Sequence, residues 1–236
     1  MESEKRAASR QIVYHHHDLF LFVVLLLVLV AAVIWLFVGA VTVAFGEVGF
    51  SNTTTIMILV ATFLGSYINI PLMRLRAKVP IVKDGYVRFL GIVYRVPKVE
   101  YGVASTLLAV NVGGALIPTG ISVYLLYRMP TTILVALVGI AVVAFVTHLV
   151  ARPVKGVGIT TLPFVPPIAA AVAALLLPSQ APRIVAYVAG VLGTLIGADL
   201  TNLHVIPRLG APVASIGGAG TFDGIFLSGI IAVILA

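Results

Sequence analysis

The sequence contains no cysteine among its 236 residues. This absence excludes disulfide bonds, thiolate nucleophiles and the zinc or iron–sulfur sites that depend on cysteine. Any catalytic chemistry must therefore use oxygen or imidazole side chains. The histidine triplet at residues 15–17 has no partner cluster of ligating residues, so the sequence predicts no metal site and no cofactor.

Charged residues are also scarce, at 10% of the chain, whereas 61% of the residues are hydrophobic. These proportions lie outside the range of soluble globular domains. Apolar runs of about 20 residues recur along the chain, and such runs are long enough to cross a hydrocarbon core of roughly 30 Å. The lipid bilayer is therefore the expected partner, and we expect a multi-pass protein of the cell membrane.

The positions of the apolar runs predict an all-α integral membrane protein with about seven transmembrane helices. A tail over residues 1–18 precedes a single transmembrane domain over residues 19–236. The predicted spans are Leu19–Phe45, Thr53–Met73, Gly102–Tyr127, Thr131–Val150, Ile159–Leu177, Arg183–Asp199 and Thr221–Ala236.

The basic residues are distributed unevenly between the two sides of these predicted helices. All lysines and arginines except Arg128 and Arg183 fall in the tail or in loops on one side. Because such residues concentrate on the cytoplasmic side of membrane proteins, the N-terminus is expected to be cytoplasmic. These loops account for most of the net charge of +7, so nucleic acid is not an expected partner.

One of these loops differs from the rest of the chain. Residues 79–99 carry aromatic and β-branched residues between charges, with a turn signal at Asp84-Gly85. The pattern predicts a small cytoplasmic β-hairpin between helices two and three. Such a hairpin could merely join the two helices, or it could offer an edge to an incoming peptide strand.

Two acidic residues, Asp199 and Asp223, fall inside predicted helices, while the other six lie in tails or loops. A lone carboxylate in hydrocarbon is costly, so such a residue normally faces the bundle interior and marks a proton, ion or catalytic site. Helical rise puts both residues at a similar depth, on consecutive antiparallel helices near the cytoplasmic side. We therefore expect the two carboxyl groups to meet.

A carboxylate pair in a low-dielectric site shares a proton, because both groups cannot ionise easily. One carboxylate can then activate water while the other protonates a carbonyl oxygen, as in aspartic proteases. The same pair could instead bind the coupling ion of a transporter or channel. A structural alternative is that Asp199 ends its helix and Asp223 caps the last one.

The segment between the two aspartates is rich in glycine and proline. Gly218, Gly220 and Gly224 permit close backbone approach, so they and Pro212 are expected to bind an extended substrate. His204 could relay a proton, although a single histidine near a membrane surface is more often only interfacial. The same ambiguity applies to His148, while Asn202 and Ser215 are weaker candidates.

The stretch GADLTNLHVIPRLGAPVASIGGAGTFDGIFLSGI resembles the C-terminal signature of an uncharacterised prokaryotic family of multi-pass membrane proteins. It is also distantly similar to intramembrane aspartyl proteases of the presenilin and signal peptide peptidase type. In those proteins one Asp lies on the sixth helix and a second follows a Gly-x-Gly sequence at the seventh. The matching residues here are Asp199 and Asp223, and the similarity implies that they cleave transmembrane peptides.

The leading hypothesis is therefore an intramembrane aspartyl protease that acts on a transmembrane peptide substrate. A proton- or cation-coupled transporter or channel that uses the same aspartates is one alternative. A membrane scaffold without catalysis is another.

Overall fold

The computed structural model describes residues 16–89, 92–156, 158–218 and 223–236. The chain divides into two compact units, Met1–Ala40 and Val41–Ala236. The described part of the first unit belongs to helix α1, His16–Glu47. Its side chains are apolar and exposed throughout residues 19–36. An uninterrupted apolar run without a charge, a glycine or a proline over residues 19–36 explains why this segment forms one continuous apolar helix.

The second unit combines helices with a β-sheet. Its described α-helices are α2 (Asn52–Gly65), α3 (Ile117–Arg128), α4 (Ile133–Val150), α5 (Val165–Leu176), α6 (Pro182–Thr194) and α7 (Gly224–Leu235). A π-helical segment, Val112–Leu116, precedes α3, and another, Leu195–Asp199, continues α6. Proline lies in the first turn of α3, α5 and α6, where its missing N–H has no intrahelical partner to lose.

Helix α6 forms the centre of the helical core. Its residues 185–191 are all buried, and α4, α5 and α7 pack around it. Small residues make this enclosure possible. A Cβ atom at Gly190 would lie 2.9 Å from the backbone oxygen of Ser228, and one at Gly193 would lie 2.6 Å from the Cβ of Val143. Glycine thus lets the backbone of α6 approach α7 and α4 closely.

A long antiparallel β-hairpin links α2 to the segment before α3. Strand β1, Asn69–Phe89, pairs along its whole length with β2, Ile92–Asn111. The hairpin predicted over residues 79–99 is therefore too short. The predicted turn at Asp84-Gly85 is also wrong, because both residues are paired inside the ladder.

Three shorter strands complete the β-structure of the described residues. Strand β5, Val213–Ile216, pairs in parallel with the end of β2, so the order in the sheet is β1-β2-β5. Strands β3, Arg152–Val154, and β4, Gly158–Thr160, form a separate antiparallel pair. Pairing with β2 holds the segment after α6 against the base of the hairpin.

The prediction of an all-α protein with about seven transmembrane helices is wrong. Among the described residues, three helical segments are long and apolar enough to cross a membrane: Leu19–Glu47, Pro130–Val150 and Pro182–Asn202. Helices α2, α5 and α7 are apolar but shorter. The error arose where strands have apolar ends, since a short apolar run does not distinguish a strand from a helix. The predicted spans Thr53–Met73 and Gly102–Tyr127 each contain such a strand end.

Asn111 forms the junction between β2 and the π-helical segment that follows it. Its buried side chain accepts a hydrogen bond from the backbone N–H of Gly114 at 2.7 Å. Its Nδ2 donates to the backbone oxygen of Ser66, also at 2.7 Å. One amide side chain therefore caps the π-helical segment and ties it to the end of α2.

Candidate functional site

Asp199 lies at the end of the π-helical segment that continues α6. Its Oδ2 accepts a hydrogen bond from the backbone N–H of Gly217 at 2.9 Å. Two residues earlier, a Cβ at Gly197 would lie 2.3 Å from the backbone oxygen of Ala144 in α4. The π-helical segment that carries Asp199 is thus packed closely against α4.

Asp223 is the N-cap residue of α7 and has an extended backbone, with φ −62° and ψ 165°. Its carboxyl group faces the N–H groups of Gly224 and Ile225 without completing a capping hydrogen bond. Burial raises the pKa of this carboxyl group above its usual value, and the two N–H groups only partly oppose that effect. Asp223 therefore holds its proton more firmly than an exposed aspartate does.

A two-glycine turn, Gly217-Gly218, connects the two carboxyl groups. Gly217 donates to Asp199, whereas a Cβ at Gly218 would lie 2.7 Å from Cγ of Asp223. Both glycines have positive φ, at 81° and 74°, which is the backbone region that side chains disfavour. Two adjacent glycines thus contact one aspartate each.

Both aspartates line one cavity of about 170 Å³. The strand β5 and the turn after it supply much of its wall. Further wall comes from β4 and from a 3₁₀-helical segment, Ile206–Leu209. The lining residues are Gly158, Ile159, Asp199, Ile206, Leu209, Ala211, Val213, Ala214, Ser215, Ile216, Gly218 and Asp223. Apart from the two carboxyl groups and the Ser215 hydroxyl, their side chains are apolar.

The residues predicted to bind substrate lie in different places. Gly218 lines the cavity beside Asp223. Gly224 begins α7 next to Asp223, with no atom within 4 Å of the Cβ position. Pro212 is exposed and does not line the cavity, although its backbone oxygen accepts a hydrogen bond from the N–H of Leu107. Gly220 lies outside the described residues.

Neither His148 nor His204 lines the cavity that holds the two carboxyl groups. His204 is exposed and does not line the cavity. His148 is also exposed, and its Nδ1 lies 2.8 Å from Oγ1 of Thr201. Within the described part of the chain, no group of three or more histidine and acidic side chains could hold a metal ion.

Some residues of the cavity wall had no clear signal in the sequence. Ile206 and Leu209 belong to a small apolar-rich segment whose helical turn is too short to show periodicity. Strand β5 has only four residues, and its partner lies about a hundred residues earlier in the chain. Ser215, which was a weak candidate, lines the cavity and donates to Oδ1 of Asn69 at 2.6 Å.

The structure places both carboxyl groups at the wall of one small cavity whose other side chains are largely apolar. The structural alternative also has support, because Asp199 ends a helical segment and Asp223 occupies an N-cap. Capping alone does not account for the shared cavity, since a cap needs only one carboxyl group at its own helix. A pair of this kind can hold one proton between two groups.

The comparisons with known proteins identify a family but no activity. No curated protein and no solved structure matches the chain. A family described as proteins of unknown function, DUF1614, matches residues 63–235, which include the hairpin, both aspartates and the cavity. The chain therefore belongs to the DUF1614 family.

Proposed function

We propose that the chain is an integral membrane protein with several membrane passes. Three helical segments are long and apolar enough to cross, and the exposed side chains of α1 are apolar over most of its length. The basic residues of the tail favour the cytoplasmic side for the N-terminus.

We further propose that the protein is an intramembrane aspartyl protease that hydrolyses a peptide bond between Asp199 and Asp223. The observation that carries this proposal is the Gly217-Gly218 turn, which contacts both carboxyl groups at the wall of one cavity. A lone structural aspartate needs no second carboxyl group, whereas acid–base hydrolysis needs two groups in different protonation states.

The two carboxyl groups divide the work by protonation state. The charged carboxylate is the base that takes a proton from water, while the protonated one donates to the carbonyl oxygen as the water oxygen bonds to the carbonyl carbon. In the second step the first group passes its new proton to the amide nitrogen and the C–N bond breaks. One hydroxyl of the gem-diol returns its proton to the second group, which leaves an amine, a carboxylic acid and the dyad in its starting state.

The similarity to presenilin-type proteases supports the same proposal. Asp199 lies near the end of the long helical segment Pro182–Asn202, and Asp223 caps α7 directly after a glycine-rich stretch of the sequence. Two features depart from the pattern of that type. Gly218 and Gly220 stand two residues further from Asp223, and Ala198 occupies the position that is usually tyrosine. The proposal therefore depends on the geometry of the cavity more than on the motif.

The test is cleavage of quenched-fluorescence transmembrane peptides by the purified protein in proteoliposomes. Asp199→Asn and Asp223→Asn should each lower the cleavage rate by at least about a hundredfold, because each removes a proton-transfer step. Asp84→Asn is the matched control, since it neutralises an exposed carboxylate that pairs with Arg95 on the hairpin. Cleavage that persists in either cavity variant would rule out the dyad.

Proton- or cation-coupled transport is the second candidate. The observation that favours it is the presence of π-helical segments at Val112–Leu116 and Leu195–Asp199, since irregular helices often line ion paths in transporters. It predicts uptake driven by an ion gradient in the same proteoliposomes, with no peptide hydrolysis. Uptake that is lost in both Asp→Asn variants would select this candidate over the protease.

A further inference from the structure

The β1–β2 hairpin carries most of the net charge of the chain. Residues 69–111 contain seven lysines and arginines but only two acidic residues, so they contribute +5 of the total +7. Each strand has 20 or 21 residues and is therefore about 65–70 Å long at the usual rise. A large part of the protein's positive charge is thus spread along one extended element.

The strand register separates the hairpin into two unlike faces. Side chains of β1 with even numbers share one face with side chains of β2 with odd numbers, because Arg74 pairs with Leu107 and the pairing continues without a break. We call this face the basic face. Its exposed members include Arg74, Arg76, Lys78, Tyr86, Arg88, Val93, Arg95, Val99, Tyr101 and Val103.

The opposite face is covered near the base of the hairpin. Leu75, Ala77 and Val79 are half-buried there, and Thr106 is buried. The 3₁₀-helical segment Ile206–Leu209 packs against the hairpin, and Leu75 belongs to the cluster around Ile206. Near the base, the basic face is therefore turned away from this segment, whereas farther out the opposite face exposes Lys83, Tyr94 and Lys98.

Beyond its base, the described part of the hairpin consists of only two strands, β1 and β2. Strand β5 pairs with residues 107–110 of β2, which is the end nearest to α3. The remainder of β2 has β1 as its one neighbour in the sheet. Two-stranded ribbons are marginally stable in water, so a ribbon of this length needs a surface to lie on.

We propose that the basic face lies on the headgroups of an anionic bilayer surface. The proposal rests on the membrane location proposed above. The face combines cations with the exposed rings of Tyr86 and Tyr101, at 71% and 77%, and with Val103 at 68%. Cationic side chains attract anionic headgroups, while tyrosine and apolar side chains enter the interfacial region beneath them.

The base of the hairpin supplies a second reason. The exposed side chains of Ile70, Leu72 and Met73 are apolar, and Arg74 follows at once. The change from an apolar side chain at Met73 to a basic one at Arg74 is typical of the boundary between hydrocarbon and headgroups. A β-bulge between Pro71 and Met73 bends the strand at this boundary, so the hairpin can turn from the bilayer interior onto its surface.

Nucleic acid also attracts cations, but the basic face fits it less well. Binding of single strands depends on rings that stack successive bases. Tyr86 and Tyr101 are separated by the length of several residue pairs in the register. Exposed valines between the cations suit acyl chains and headgroups better than phosphate-rich strands.

The experiment uses the complete chain in lipid nanodiscs, where its lack of cysteine allows a single label. Val103→Cys receives a polarity-sensitive fluorophore, and its emission is compared in zwitterionic discs and in discs with about one third anionic lipid. We expect a blue shift and slower collisional quenching in the anionic discs only. High salt should reverse both effects, because it screens attraction to headgroups.

A triple variant, Arg74→Gln, Arg76→Gln and Lys78→Gln, should reduce the ratio of docked to undocked hairpin by roughly 100-fold, since each cation near an anionic surface contributes about a fivefold factor. The matched control neutralises the exposed Arg152, Lys155 and Arg208 and should leave the signal unchanged. Equal emission in both lipids, an unchanged triple variant, or a shift produced by RNA but not by anionic lipid would overturn the proposal. Failure of the chain to enter nanodiscs at all would instead reject the membrane location.

Discussion

Gly217 is the residue on which the arrangement of the two carboxyl groups most directly depends. A Cβ there would lie 2.6 Å from the Cβ of Ala115 and 2.7 Å from its backbone nitrogen, at a φ of 81°. We expect Gly217→Ala to lower the free energy of unfolding by about 2–4 kcal/mol, because backbone strain and overpacking add. Thermal or denaturant unfolding in detergent micelles measures this loss.

Gly210→Ala is the matched control for that substitution. Gly210 has nearly the same φ, 78°, but no atom lies within 4 Å of its Cβ position. Gly210→Ala should therefore lower the free energy of unfolding only by the cost of backbone strain, about 1 kcal/mol. Equal losses in the two variants would mean that the turn is not tightly packed against Ala115.

The raised pKa of Asp223 predicts how stability depends on pH. An aspartate in the unfolded chain has a pKa of about 3.9, so the folded state binds this proton more tightly than the unfolded state does. Protonated Asp223 therefore contributes its full stabilisation below the unfolded-state pKa, and this stabilisation is lost as pH rises through the folded-state pKa. Asp223→Asn should flatten this decline in a series of unfolding curves at increasing pH. An unchanged slope, with Asp84→Asn as control, would show that Asp223 titrates normally.

At the scale of elements, the contact between α6 and α7 decides whether the two aspartates stay together. Gly190 faces the backbone of Ser228 and Gly229, and Oγ1 of Thr194 donates to Oγ of Ser228 at 3.0 Å. We expect Gly190→Ala to push the helices apart and to cost about 1–3 kcal/mol of stability. The rate of peptide cleavage should fall with it, because Asp199 follows α6 and Asp223 begins α7.

Gly120→Ala provides the comparison, since Gly120 lies in α3 with no atom within 4 Å of its Cβ position. That change should be neutral or stabilise by up to about 1 kcal/mol through helix propensity. Measuring unfolding and peptide cleavage for both variants separates the effect of helix–helix packing from the effect of helix propensity. Full cleavage activity in Gly190→Ala would contradict the role given to this contact.

The hairpin shows which features of an element are visible in the sequence. Its existence is predicted by the aromatic and β-branched residues between charges, but its length is not. The strand ends near Ile70 and Leu108 are apolar and resemble the ends of membrane helices. A stronger signal was available in the strict alternation of Arg74, Arg76 and Lys78 with Leu75, Ala77 and Val79, which is typical of a strand with one covered face.

The site shows the same division between local and long-range information. The expectation that Asp199 and Asp223 lie close together rests on helical rise and on the packing of consecutive helices, which are local rules. The cavity wall depends on β5, which pairs with residues 107–110. Such long-range pairing leaves no periodic pattern in a segment of four residues, so the sequence alone did not reveal it.

At the scale of the whole molecule, the division into two units predicts where the chain can be shortened. Phe45 belongs to the second unit and is fully buried, with its ring 5.8 Å from that of Tyr187 and 6.3 Å from that of Phe226. A chain that begins at Val41 should therefore keep the unfolding temperature of this unit. A chain that begins at Ser51 should lose about 3–5 kcal/mol, as expected when a buried phenylalanine is removed.

Unfolding in detergent, followed by circular dichroism, compares the two shortened chains with the complete one. Equal stability of the two would show that Phe45 does not support the core. A large loss already at Val41 would show instead that the second unit needs the preceding helix.

The two-glycine turn leaves little room for substitution, because a side chain at position 217 would meet the backbone of residues 114 and 115. Elsewhere in the cavity wall, Leu209 and Val213 contribute side chains whose size can change. Family members that accept different molecules should therefore differ at these two positions while they keep glycine at 217. Selectivity would then evolve without disturbing the turn that contacts both aspartates.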